Sequence, residues 1–304
     1  LKENYFEAHA NLSIILQKLG KLKQAKIESL KAIEINPDFA NSYCNLGNIF
    51  KEEREYEEAE KYFRKAISLN KNFFIAYSNL GAVLKDLNKI DEALRMTKKA
   101  ILINPRYPSA YSNLGLIYKE LDEDKNAIAA FEKAILLKPN YSESYNNLAL
   151  IYKDKGDLNK ALKLIKKAID LDPYLAEAYH NLGEIMVLFK NFPESIKEYK
   201  KAIKCNPRYV NSYTNLSVVL LGLGDYIGAL ETTQKGLKIE PLDIELLTGS
   251  LQISTLISNW DELDQRLHWI KELSDQKAKK IEPMTMMYLE DHPQREFDRI
   301  QTFY

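Results

Sequence analysis

The sequence predicts an all-α protein, a solenoid of 34-residue helix–turn–helix units, and three observations carry that expectation. The pentapeptide YSNLG stands at residues 77–81 and again, letter for letter, at 111–115. Looser copies keep the same 34-residue phase: HANLS at 9–13, YCNLG at 43–47, YNNLA at 145–149, YHNLG at 179–183 and YTNLS at 213–217. A proline closes six of the seven units (Pro37, Pro105, Pro139, Pro173, Pro207 and Pro241), with Lys71 the one departure. Length alone would suggest about two globular domains. A fixed period overrides that expectation, because repeated units stack on their neighbours to bury what one unit cannot bury alone.

With units starting at residues 6, 40, 74, 108, 142, 176 and 210, the first helix follows from four positions. Position 4 is His9 and then Tyr43, Tyr77, Tyr111, Tyr145, Tyr179 and Tyr213; position 7 is always Leu; position 8 is Gly, Ala or Ser. Position 11 is large: Leu16, Phe50, Leu84, Tyr118, Tyr152, Met186 and Leu220. Positions 4, 7, 8 and 11 form an i, i+3, i+4, i+7 stripe, the buried face of an amphipathic helix. The helix is expected to stop at position 15, occupied by Gly20, Arg54, Asn88, Asp122, Gly156, Lys190 and Gly224. Gly and Asn there suit a left-handed C-cap.

The second helix is marked by Ala at position 20, with Ser195 the exception, and at position 27, with Gly236 the exception. Proline at position 32 cannot continue a helix and resets the chain for the next unit. Aromatics at positions 4 and 34 (at position 34 Tyr5, Phe39, Phe73, Tyr107, Tyr141 and Tyr209) are read as packing groups, not as a platform for bases.

Composition narrows the function. Lys plus Arg (43) balances Asp plus Glu (43), so no global field draws in nucleic acid or an anionic membrane. The two cysteines, Cys44 and Cys205, share no metal or redox spacing, which fits a reducing cytoplasmic setting. No run of about 18 apolar residues exists, so no transmembrane helix is expected. There is also no candidate nucleophile, metal cluster or glycine-rich phosphate loop, so no catalytic residue, metal or cofactor is expected. His9 takes the Tyr slot of the packing stripe, His180 sits singly on the inner wall, and His268 and His292 belong to the tail.

A helix turning about 100° per residue turns positions 2, 5, 6, 9, 12 and 13 away from the buried stripe, to line an inner wall. Position 6 is Asn in every unit: Asn11, Asn45, Asn79, Asn113, Asn147, Asn181 and Asn215. A carboxamide both donates and accepts. A row of them is expected to hold the backbone of an extended peptide; the alternative is that each Asn bonds a neighbouring helix. Lys51, Lys85, Lys119 and Lys153 at position 12 join this candidate peptide site, beside Glu52, Asp86, Glu120 and Asp154 at position 13. Their alternating signs serve either docking or mutual ion pairing. Further along, the wall turns apolar at Val187, Leu188, Val218 and Leu221.

Residues 6–243 resemble seven tetratricopeptide repeats, which implies a right-handed superhelix whose concave surface receives protein segments. Members that clamp the C-terminal carboxylate of heat-shock chaperones need Lys at positions 2 and 5. Here position 2 is Glu7, Asn41, Ile75, Ser109, Glu143, Glu177 and Asn211, and position 5 has no Lys, so that use is disfavoured. A worn eighth unit is expected at 244–277, with Leu251, Trp260, Leu263, Leu267 and Ile270 in register, and a helical connector at 278–304.

The tail resembles the connector after the repeats of O-linked N-acetylglucosamine transferases and their bacterial relatives. Leu251–Ile253 with Trp260, then Pro283, Met284–Leu289 and Asp291–Pro293, carry the likeness. It implies a substrate- or partner-recognition arm of a protein glycosyltransferase whose catalytic domain would lie downstream. The alternatives are a free-standing scaffold or an arm fused to another enzyme. Residues 1–5 read as the end of a preceding repeat. The first unit is then expected to leave Tyr5, Phe6, Leu12, Leu16 and Leu19 short of apolar cover and open to self-association.

Overall fold

A computed structural model describes residues 5–256, which hold fifteen α-helices and, among the described residues, no strand. Two compact units divide the chain, residues 1–151 and 152–304. The first unit contains α1 (Phe6–Lys18), α2 (Leu22–Ile35), α3 (Ala40–Glu52), α4 (Tyr56–Leu69), α5 (Phe74–Asp86), α6 (Ile90–Ile103), α7 (Pro108–Glu120) and α8 (Asp124–Leu137). The division falls within α9 (Ser142–Asp154). The second unit continues with α10 (Leu158–Leu171), α11 (Ala176–Leu188), α12 (Phe192–Cys205), α13 (Val210–Gly222), α14 (Tyr226–Leu237) and α15 (Ile244–Leu256). Within the units consecutive helices pack as pairs, α1 on α2, α3 on α4, α5 on α6, α7 on α8, α11 on α12 and α13 on α14, the helix–turn–helix unit that the period predicts.

The turn inside each pair is built from backbone alone. All seven residues at position 15 have positive φ, from 56° at Asp122 to 80° at Gly156 and Gly224. In each, the next N–H reaches back to the position-11 carbonyl, as Glu55 N to Phe50 O (2.9 Å) and Asn191 N to Met186 O (2.8 Å). Position 15 itself donates to position 12, as Arg54 to Lys51 (3.1 Å) and Lys190 to Val187 (2.8 Å). This pair of bonds is the Schellman closure, and it satisfies carbonyls that the helix end would otherwise orphan. Arg54 and Lys190 adopt the left-handed conformation despite their side chains, because the closure demands it there.

Close approach within a pair is set by a size match between positions 8 and 24. Gly47 lies under Phe63, Gly115 under Phe131 and Gly183 under Tyr199, each near enough that an added Cβ would come within 2.6–2.7 Å of the ring. In the first repeat both positions are serine, Ser13 facing Ser29 with their hydroxyls 2.7 Å apart, and in the third Gly81 faces the smaller Thr97. The alanines at positions 20 and 27, such as Ala59, Ala66, Ala161 and Ala168, are fully buried. The buried face is wider than the four-position stripe. Position 3 (Ser42, Ala76, Ala110, Ser144, Ala178, Ser212) and position 10 (Ile49, Val83, Ile117, Ile151, Ile185, Val219) are buried too. A first helix touches its own partner and a neighbouring repeat, so two faces are covered where one was expected.

The first repeat shows what that second cover does. Leu12, Ile15 and Leu19 are exposed, whereas Leu46, Ile49, Leu80 and Val83 at the corresponding positions 7 and 10 are buried. Of the side chains expected to lack cover, Tyr5, Leu12 and Leu19 are exposed. Phe6 and Leu16 are half-buried, Phe6 lying edge-on against Phe39 at 4.8 Å. At the other end of the described residues, α15 buries Leu246, Leu247, Leu251 and Ile253 and packs on α14 and α13. Trp260, Leu263, Leu267, Ile270, His268, His292 and the connector at 278–304 lie outside the described residues, as do residues 1–4.

Candidate functional site

Four of the position-6 asparagines, Asn45, Asn79, Asn113 and Asn215, sit at the joint between one first helix and the one before it. Asn45, 6% exposed, donates Nδ2 to the Ala10 carbonyl at 3.0 Å. Asn113 donates to the Ser78 carbonyl, also at 3.0 Å, and lies as close to the Ser78 hydroxyl. Both acceptors belong to position 5 of the preceding repeat. Asn79 and Asn215 reach position 9 of the preceding repeat instead: Asn79 to Asn48 Oδ1 at 2.8 Å, Asn215 to Glu184 Oε1 at 3.2 Å. Asn147 accepts from Asn146 Nδ2 at 3.3 Å, Asn181 is buried, and Asn11 is exposed. Asn79, Asn113, Asn147 and Asn215 remain half-buried and keep one edge on the surface.

Position 5 leaves the wall on which it was expected. Ala10, Cys44, Ser78, Ser112, Asn146 and His180 are buried at the joint, because the 100° turn puts this position on the flank that the adjacent repeat covers. Burial pushes the Cys44 thiol up to about 12, which leaves it unreactive. The exposed face therefore consists of positions 2, 9, 12 and 13 with the open edge of position 6. On it Gln17 donates to Glu52 at 2.6 Å, and Lys85 pairs with Asp86 at 2.8 Å. Lys51 and Lys119 are half-buried. Lys153 bonds Glu184 and has Asp154 at 4.0 Å.

Glu184 centres a polar cluster in the second unit that periodicity did not single out. Its carboxylate receives Lys153, Asn215 and, at 3.5 Å, His180 Nε2 one turn earlier on α11. His180 Nδ1 lies 3.1 Å from the Ser212 hydroxyl, and the ring stands edge-on to Tyr209 at 5.1 Å. Burial alone would raise the Glu184 carboxyl; hydrogen bonds from His180 and Lys153 outweigh it and hold the group at about 2. Burial, with Glu177 and Glu184 adding to it, pushes the Tyr209 hydroxyl up to about 12. The order Ser212, His180, Glu184 matches a nucleophile, a base and its orienter. Ser212 is fully buried, however, so no substrate reaches its oxygen, and the cluster is a structural joint. His180 is thus one member of a network, not a lone group. A His–Glu pair at i, i+4 was the signal in the sequence that could have revealed it.

Among the described residues, no group of three or more His, Cys, Asp and Glu side chains is placed to hold a metal ion. No described helix is long and apolar enough to cross a membrane.

Helix pairs closed at position 15, small residues under position 24 and a polar joint every 34 residues define a repeat scaffold. Family models described as tetratricopeptide repeat match residues 6–39, 40–73, 108–141, 142–175, 176–209 and 198–231, and one described as TPR repeat matches 83–122. The chain belongs to the tetratricopeptide repeat family. No curated protein sequence matches it. Among solved structures, the Cut9 and Hcn1 hetero-tetramer of the APC/C is similar over 88% of this chain and 52% of the other, at TM-score 0.68 and 17% identity. This chain thus spans about half of that one. TTC0263 of Thermus thermophilus is similar over 60% of this chain and 99% of its own, at TM-score 0.56 and 22% identity. PilF of Pseudomonas aeruginosa covers 66% of this chain and 92% of its own, at TM-score 0.54 and 20% identity. At these identities the likeness is one of fold.

Proposed function

We propose that this chain is a protein-binding scaffold whose first helices hold extended protein segments by their backbone. The observation that carries the reading is the run Asn79, Asn113 and Asn147, half-exposed in three successive repeats of one unit. The donors of Asn79 and Asn113 are anchored on the preceding repeat, which fixes each carboxamide and leaves its oxygen for a peptide N–H. Lys51, Lys85 and Lys119 supply cations along the same run. The presence of this fold in the Cut9–Hcn1 hetero-tetramer of the APC/C is in keeping with a partner-assembling role.

The test replaces Asn79, Asn113 and Asn147 with Ala and measures anisotropy of a labelled, proline-free extended peptide, at a temperature where circular dichroism shows the variant folded. Binding should weaken about tenfold, the scale of one or two lost hydrogen bonds. Unchanged affinity in the folded variant sinks the backbone-holding site.

The narrower reading makes the scaffold the recognition arm of a cytoplasmic glycosyltransferase resembling the O-linked N-acetylglucosamine transferases. Its support is sequence alone, in Leu251–Ile253, Trp260, Pro283 and Asp291–Pro293. Reading the gene past residue 304 decides it: a two-lobed α/β domain supports the arm, and a stop codon directly after Tyr304 leaves the stand-alone scaffold. Self-association through the open face of the first repeat is a separate element of the proposal, independent of the glycosyltransferase reading. Sedimentation should show end-to-end dimers that Leu12→Glu and Ile15→Glu abolish, and a strictly monomeric wild type removes this element.

A further inference from the structure

The outward faces of four second helices, α4, α6, α10 and α12, are alike in their cations and unlike in their anions. Repeat positions 22, 25 and 26 carry Lys61, Arg64 and Lys65 on α4, Arg95, Lys98 and Lys99 on α6, Lys163, Lys166 and Lys167 on α10, and Lys197, Lys200 and Lys201 on α12. On α4 these face Glu57, Glu58 and Glu60, and a closed network results. Arg64 bridges Glu60 and Glu92 at 2.8 Å, Lys89 joins Glu60 at 2.7 Å, and Lys61 pairs with Glu58 at 3.2 Å.

On α10 the first turn has no acid at all, and Lys160 occupies the place of one. Lys163 has Lys160, Lys166 and Lys167 as its neighbours three and four residues away, an arrangement that costs helix stability. Helix-end electrostatics does not explain it, since the last turn of α10 carries no cation. On α12, Lys197 and Lys201 pair with Glu194 and Glu198, while Lys204 extends the row. Among the described residues no carboxylate pairs with Lys163, Lys166, Lys167, Lys200 or Lys204, and all five are exposed. The α12 lysines, with Ile196 and Pro193, line an open hollow along that helix.

We propose that the α10 and α12 faces of the second unit form a docking surface for an acidic protein segment, separate from the first-helix face. The unpaired lysines supply charge complementarity, and Ile196 and Pro193 supply an apolar floor for side chains between the acids. Lys200 and Lys204 are about 6 Å apart along the helix, close to the roughly 7 Å between alternate side chains of an extended strand. A phosphate backbone or a lipid headgroup has no use for the apolar floor. Such extended polyanions would also meet a chain whose charges sum to zero.

The full chain is titrated against a short labelled peptide in which Glu and Asp alternate with Leu and Val. Binding should weaken with added salt, and a peptide with Gln and Asn in place of the acids should not bind. K163E/K166E/K200E/K204E should lower affinity about tenfold or more, since each exposed attraction becomes a repulsion. R95E/K98E/K99E, at matching positions on α6, should leave it unchanged. Should the quadruple reversal fail to fold by circular dichroism, K200Q/K204Q serves, with a smaller loss of several-fold. The proposal is overturned by an absence of binding or by equal loss in the two reversal variants. Tighter binding of a single-stranded oligonucleotide or of phosphatidylserine vesicles than of the acidic peptide also overturns it.

Discussion

In repeat 2 (residues 40–73) Gly47 lies against Phe63, and in repeat 6 (176–209) Gly183 lies against Tyr199 in the same way. The alanines at position 27, Ala66 and Ala202, are buried in both. The repeats part company at the joint to the following repeat. Repeat 2 places Cys44 at position 5 and Asn48 at position 9, and Asn79 bonds the neutral Asn48 amide. Repeat 6 places His180 and Glu184 there, and Asn215 bonds a carboxylate that Lys153 and His180 also hold. Intra-repeat packing thus fixes residue size, while the joint accepts a neutral or an ionic solution. The joint is where one repeat can differ from another without disturbing the fold.

The largest effects should be equal in the two repeats. Phe63→Ala and Tyr199→Ala each remove a fully buried ring over a glycine and should cost about 3–5 kcal/mol, read from urea midpoints. A several-fold smaller effect at either site would break the claim of equivalent scaffolds. The joints should then diverge. Glu184→Ala leaves Lys153 and His180 without their carboxylate and should cost roughly 2–3 kcal/mol, whereas Asn48→Ala should cost about 1 kcal/mol by thermal melting.

Acid should sharpen the same contrast. The Glu184 carboxyl is held at about 2 against an ordinary 4.5, so its contribution is complete above 4.5 and is lost as pH falls from there towards 2. With its partial exposure discounted, the loss is about 1–2 kcal/mol. Melting curves of wild type and Glu184→Gln should converge over that range, while the Asn48–Asn79 joint shows no matching change. The smallest effect concerns the turn. Arg54→Gly and Lys190→Gly relieve left-handed residues of their side chains and should raise stability by up to about 0.5 kcal/mol, equally in both repeats.

Much of this was legible because the period is strict. Position 15 was readable from Gly20, Gly156 and Gly224, and register carried the expectation to Arg54 and Lys190, whose residue types give no hint of a positive φ. The invariant Asn was equally visible, but its partner was not. Ala10 O and Ser78 O are backbone carbonyls 35 residues away, and only stacking geometry brings them to the side chain. Helical periodicity says which residues share a face; it does not say which neighbour covers that face. Positions 3, 5 and 10 therefore carry more burial than the four-position stripe marks, and the Glu184 cluster, assembled from three repeats, leaves no periodic signal.

The asparagine bonds also have a direction. Asn45, Asn79, Asn113 and Asn215 all take an acceptor that precedes them in the chain, by 31 or 35 residues. A ribosome releases the chain in that same order, amino end first. Each newly emerged first helix therefore meets a finished docking edge, with its carbonyl, amide or carboxylate already in place, and waits for nothing still inside the exit tunnel. Growth of the nascent chain and growth of the stack become one process.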